Sequence, residues 1–204
     1  MKKLLILIYF ILSFLNSEAQ IIYGENNYTQ YQIGTLPIVI SVPHGGLIEP
    51  ANIPDRSCNN PTTVTDSYTI ELAMQMDSAL FKLTGCHPHI IICNLKRTKI
   101  DCNREISEGA CSNPIAEKAW HEFQNFIDTA QKLAQNSFAG KAFYIDLHGH
   151  GKPILRLELG YGIKPEELNN NDSFLNLQEQ IESSSIQNLV NNNINNLSHA
   201  ELLR

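Results

Sequence analysis

The chain has no C-x-x-C pair and no dense cysteine framework, which argues against a cysteine-ligated zinc site. It carries 15 Lys and Arg against 21 Asp and Glu, a formal charge of −6. That balance argues against a nucleic-acid or anionic-membrane surface, so any recognition of an anion has to be local, through a few placed basic side chains. No internal repeat is visible, so a stacked-repeat architecture is not expected. Beyond the N-terminus no apolar run is long enough to span a bilayer.

The N-terminus does have an apolar run, Leu4 to Leu15, broken by Ser13 and preceded by Lys2 and Lys3. It is shorter than the ~20 residues of a spanning helix. Ser17 and Ala19 then supply the small-x-small pattern of a signal peptidase site. Residues 1–19 therefore read as a secretory signal peptide cleaved after Ala19. Residues 20–204 read as a single domain that is extracellular or periplasmic, with no membrane association once the signal is removed. Export permits disulfides. With five cysteines at least one is unpaired in a monomer, and Cys86 and Cys93, flanking the start of an apolar run, are candidates to staple it.

Local patterns give an alternation of strands and helices. Ile21–Tyr31 reads as an irregular edge hairpin. Pro37–Val42 and His89–Leu95 are continuous β-branched or apolar runs, as buried strands are. Ala142–Leu147 is a third strand and the alternating Ile154–Leu159 a fourth. Between them, Thr65–Thr84 has apolar residues at helical spacing, with Thr65 able to cap it and Gly85 to stop it. Asn113-Pro114 opens a second helix to about Gln135, with Asn as cap and Pro in the first turn. After Pro165 the chain is Asn-rich, its helices weakly amphipathic, and Ser198-His199-Ala200-Glu201 has capping-box spacing. The pattern predicts an α/β fold with a mostly parallel, mixed sheet, in which ligands bind at the carboxyl ends of the strands.

The chemistry-bearing residues fall at those ends. His44 follows the first buried strand in Pro43-His44-Gly45-Gly46; alone, it is equally a structural loop histidine. His148 follows the third in Asp146-Leu147-His148-Gly149-His150. Asp146 and His148 share a strand face, and His150 is close enough in sequence to reach it too. An aspartate beside a metal-binding histidine commonly fixes its tautomer. A third ligand is expected to be a carboxylate, from Glu49, Asp66 or Glu71. In Asp101-Cys102-Asn103-Arg104-Glu105, an Arg beside Asn suits a substrate carboxylate, Arg97 being a second candidate. Asp101 is placed to orient either an arginine or a metal histidine. Arg156 and Glu158 share a face and read as an ion pair.

Taken in order, Ser41-Val42-Pro43-His44-Gly45-Gly46, Thr65-Asp66-Ser67-Tyr68, Asn94 through Arg104 and Asp146-Leu147-His148-Gly149 resemble the N-formylglutamate amidohydrolase family, over about Ile38 to Gly162. The resemblance implies a three-layer α/β/α, phosphorylase/hydrolase-like fold related to zinc carboxypeptidases and aspartoacylases. It implies one zinc ion on His44, Asp66 and His148, with Asn103 and Arg104 (and Arg97 as the further candidate) holding the carboxylate of a small-molecule substrate. The implied reaction is hydrolysis of an N-acyl amino acid or related small amide or peptide by a metal-activated water. Gly45 stands where the family usually carries Ser and Gly149 where many members do, so the polar contacts of the pocket, and with them the substrate, are expected to differ from those for N-formylglutamate. Family members extend further and supply a glutamate as general base from their C-terminal section. The chain is accordingly expected to be C-terminally incomplete, with Asp146 as the catalytic partner of His148 and Glu158 the internal substitute for the base. The other readings are a non-catalytic exported binding protein that keeps the metal and carboxylate pocket, and a metallocarboxypeptidase-like peptidase.

Overall fold

A computed structural model of the chain describes residues 19–154 and 156–204. The signal segment expected over residues 1–19 lies, except for Ala19, outside the described residues. Among the described residues no helix is long and apolar enough to cross a membrane. The chain divides into two compact units, one up to Gly151 and one from Lys152.

The first unit is built on a five-stranded sheet of order β1-β2-β4-β3-β5. Its strands are β1 (Ile21–Tyr23), β2 (Thr29–Gln32), β3 (Ile38–Val42), β4 (His89–Cys93) and β5 (Phe143–Asp146). β1 and β2 form the expected irregular hairpin, and β2 continues inward to pair with β4. The sheet is more evenly mixed than predicted: β3 runs parallel to both β4 and β5, while β1–β2 and β2–β4 are antiparallel.

Two long helices connect the parallel strands: α1 (Thr69–Thr84) and α3 (Pro114–Ser137), with the single turn α2 (Ile106–Gly109) before α3. Alternate residues of a strand face opposite sides of a sheet. Val39, Ile91 and Cys93 accordingly join one core cluster with Ala116, Ala119 and Phe123 of α3. Ile40, Val42, Ile90 and Ile92 join another with Ala73 and, partly buried, Ile70 and Met76 of α1. Asn113 caps α3 as expected, its Oδ1 accepting from the backbone N–H groups of Ile115 and Ala116.

Three sequence expectations are corrected. Helix α1 begins at Thr69, four residues later than predicted, and Thr65 does not cap it. The Asp66 N–H instead bonds the His44 carbonyl at 3.0 Å, drawing 65–68 away from the helix axis. Tyr68 absorbs the change of direction with a left-handed φ of 66°. The fourth strand does not form: Leu155 is outside the described residues, and the rest of Ile154–Leu159 is irregular, with Ile154, Leu157 and Leu159 exposed. An alternating pattern makes a strand only where a neighbouring strand takes up its N–H and C=O groups. Cys86 and Cys93 are free thiols; the disulfide joins Cys58 to Cys111. Cys93 lies at the far end of β4 from Cys86. Five extended residues span roughly 16 Å at about 3.3 Å each, beyond the ~7 Å Cα separation that a disulfide tolerates.

The second unit is a set of short helices: α4 (Pro165–Leu168), α5 (Asp172–Leu175), α6 (Gln178–Ser183), α7 (Gln187–Asn192) and α8 (His199–Leu202). Ser198 and Glu201 form the expected capping box at α8. Leu175, His199 and Ala200 are its buried centre.

Candidate metal centre

Topology alone selects the place. From β3 the chain crosses through α1 to β4 on one side. From β4 it crosses through α3 to β5 on the other side of β3. The two crossovers thus run in opposite directions from β3, and α/β folds bind ligands outside the carboxyl ends of such strands. His44 is two residues beyond β3 and His148 two beyond β5. The parallel register pairs Ser41 with Asp146, which sets the two histidines side by side with ring centroids 5.1 Å apart.

Close backbone approach fixes this loop. A Cβ on Gly46 would lie 2.2 Å from the carbonyl carbon of Asn94, so only glycine lets the loop after β3 pass the end of β4. Gly149 lets the loop after β5 pass Asp66: its N–H bonds Asp66 Oδ2 at 3.0 Å, and a Cβ there would sit 3.2 Å from the Asp66 Cβ. Of the three candidate carboxylates, one lies with the histidines. Asp66 converges on the histidines, whereas Glu49 is exposed and pairs with Lys96, and Glu71 is an exposed residue of α1.

The imidazoles are held alike. His44 Nε2 is 2.7 Å from Asp101 Oδ1, and His148 Nε2 is 2.8 Å from Asp146 Oδ2. An ionised carboxylate only accepts, so each Nε2 carries a proton, and in the neutral imidazole each Nδ1 then presents a lone pair. Both Nδ1 atoms face Asp66 Oδ2, His44 at 3.5 Å and His148 at 3.3 Å. His44 is fully buried and its Nδ1 has no hydrogen-bond partner. Two lone pairs and a carboxylate oxygen facing one another require a proton or a cation between them. All three ligand atoms lie within 4.8 Å of one another, so the group can hold a metal ion. His150 is not in this group.

The surroundings orient these ligands. Ser41 Oγ donates to Asp146 Oδ1 at 2.5 Å and also meets the Tyr144 hydroxyl at 2.7 Å. Burial, reinforced by the charge of Asp146, pushes the Tyr144 phenol up to about 12, so it stays protonated as a hydrogen-bond donor or acceptor. Burial acts to raise the Asp101 carboxyl. The hydrogen bond from His44 and the charge of Arg97 outweigh it and hold the group well below the usual carboxylate range. The hydrogen bond to Asp146 raises the His148 imidazole against the opposing effect of burial. Asp146 thus acts on His148 rather than facing the convergence point.

The proposed substrate residues separate. Asn103 lies beside His148, its Nδ2 3.2 Å from Nε2; with Nε2–H already donating to Asp146 this is a close approach and not a hydrogen bond. Arg104 is exposed and, among the described residues, its guanidinium has no carboxylate partner. Its carbonyl accepts from Trp120 Nε1 on α3, which fixes the loop. Arg104, Asn103, Tyr144, Asp146 and Glu105 line a cavity of about 230 Å³. Arg97 turns to the centre instead, its Nε on Asp101 Oδ2 at 3.0 Å and its Nη1 3.5 Å from Asp66 Oδ1. Glu158 belongs to the second unit and forms the expected pair with Arg156, as well as one with Lys152. Hydrogen bonds from Lys152 and Arg156 lower its carboxyl to about 2, which makes it a poor proton acceptor.

Two contributors were not foreseen. Arg56 is buried beside Asp101, and Tyr144 reaches the centre through Ser41. Nothing in the Pro50–Pro61 loop marks Arg56; Tyr144 could have been found from its i, i+2 relation to Asp146. Comparison with family models, curated proteins and solved structures finds no match to this chain.

Proposed function

We propose that the chain is an exported, zinc-dependent amide hydrolase of the N-formylglutamate amidohydrolase type, built on a three-layer α/β/α fold and acting on a small N-acyl amino acid or related amide. The observation that carries this reading is the buried, unpartnered Nδ1 of His44, facing Asp66 and His148 at the carboxyl ends of β3 and β5. The separate core clusters shared with α1 and α3 support the layered fold. The Cys58–Cys111 disulfide and the N-terminal apolar run support export.

His44, Asp66 and His148 would hold the ion, and Asp101 and Asp146 keep both imidazoles in the Nε2–H tautomer that leaves Nδ1 to face it. A divalent ion in this place supplies Lewis acidity at a carbonyl and a more acidic water. Arg104 anchors the substrate carboxylate and Asn103 supplies an amide beside it, orienting the scissile bond toward His148. A binding protein using the same pocket is the second reading, favoured by the engagement of Glu158 in ion pairs.

The test is zinc content and turnover together. The purified protein should hold one zinc, and a His44→Ala, His148→Ala double variant should hold none; unchanged stoichiometry in that variant overturns the site. Chelator-sensitive release of amine from N-acyl amino acids identifies the enzyme. Zinc binding without release identifies the binder.

A further inference from the structure

Arg56 is the least expected charge at the centre. Its side chain is 2% exposed, and its guanidinium is shared among three backbone carbonyls and a carboxylate. Nε and Nη2 donate to the Arg97 carbonyl at 3.1 and 3.0 Å, Nη2 to that of Thr62 at 2.6 Å and Nη1 to that of Glu108 at 3.2 Å. Nη2 is also 3.5 Å from Asp101 Oδ2. Asp101 turns its other oxygen to His44. Arg56 therefore acts on the centre twice: its charge faces the carboxylate that orients His44, and its fork holds the backbone of Arg97, which grips the same carboxylate.

The Cys58–Cys111 disulfide closes around this clasp. Cys58 is two residues beyond Arg56, and Cys111 is three beyond Glu108, whose carbonyl Arg56 holds. The covalent bond and the guanidinium tie together the same two segments.

We propose that Arg56 is a positioning residue for the metal centre, kept in place by the Cys58–Cys111 disulfide, so that affinity for a divalent metal falls when that disulfide is reduced. The inference rests on the metal-centre reading above. Reduction by a dithiol breaks the S–S bond and gives Cys58 and Cys111 two electrons and two protons, while the dithiol becomes a disulfide. The loop of residues 56–62 is then tied to the α2 turn by hydrogen bonds alone. Asp101 and the backbone of Arg97 lose a fixed anchor, and with it the placement of the carboxylate that accepts from His44 Nε2–H.

The experiment uses the full chain with two readouts: zinc affinity by competition with a chromophoric chelator, and the His44 tautomer from ring ¹⁵N chemical shifts in the metal-free protein. Arg56→Gln and a Cys58→Ala, Cys111→Ala double variant should each weaken zinc binding roughly 10–100-fold, as loss of a ligand's supporting partner does. Both should move His44 from Nε2–H toward a tautomer mixture. Arg56→Lys keeps the charge without the fork and should fall between them and wild type. Zinc affinity within threefold of wild type in folded Arg56→Gln overturns the proposal. If Arg56→Gln does not fold, the same threshold applies to the disulfide variant. If the wild-type chain binds no zinc, the metal-centre reading fails by itself. The tautomer still decides the positioning: unchanged shifts in the variants overturn it, and a mixture sustains it.

Discussion

Replacing Asp101 with asparagine keeps its shape and removes its charge. The carboxylate is 1% exposed, accepts from His44 Nε2 and Arg97 Nε, and faces the buried Arg56. Removing one partner from a buried ionic cluster costs about 3–5 kcal/mol, because the opposite charge stays buried without compensation. Arg97 keeps Asp66 and Arg56 keeps its three carbonyls, so the loss at pH 7 should be about 3 kcal/mol, at the lower end of that range.

The pH dependence gives the sharper test. The Asp101 carboxyl titrates below its unfolded value, so its contribution is complete above that value, about 3.9. It is lost as pH falls toward the folded value. The stability gap between wild type and Asp101→Asn should therefore hold steady from pH 7 to about 5. Below about pH 4 it should narrow by about 1.4 kcal/mol per pH unit. Urea unfolding of both proteins, in chelator to remove any bound metal, measures this directly. A gap that is constant down to pH 3 would refute the assignment of this stability to the Asp101 charge.

Two shorter predictions concern the sequence motifs. Gly46→Ala drives a Cβ into the backbone at Asn94 and Cys93 and should cost about 2–3 kcal/mol in urea unfolding; a loss under about 0.5 kcal/mol would mean that the loop moves aside freely. Glu158→Gln should leave zinc stoichiometry and the unfolding midpoint unchanged, since Glu158 is ion-paired to Lys152 and Arg156 in the second unit. A tenfold drop in amide hydrolysis would restore it as the base.

Most of the sheet was legible because its signals are local. The runs at 37–42 and 89–95 are apolar and β-branched, and proline or glycine bounds the first. Neither needs knowledge of its partner to be recognised as a buried strand. The alternating run at 154–159 carries the same kind of local signal and forms no strand, because a strand is a statement about two segments and periodicity reports only one. The Cys86–Cys93 staple failed for a related reason: closeness in sequence is distance in space when the residues between are extended.

The two aspartate–histidine pairs of the metal centre show the same division. Asp146 and His148 are i and i+2 at the end of one strand, so their shared face follows from the pleat, and the pair could be read directly. Asp101 and His44 make an equivalent hydrogen bond across 57 positions of sequence. Sequence left Asp101 with two possible partners, an arginine or a histidine. The fold uses both, one oxygen for His44 and the other for Arg97. What decides this is the parallel register of β3 and β4, which brings the loop after β4 beside the loop after β3. Arg56 lies a further step away, in a loop with no periodicity, and its importance depends on its burial. A buried guanidinium needs a carboxylate and several carbonyls at fixed geometry, a requirement that only the assembled fold reveals.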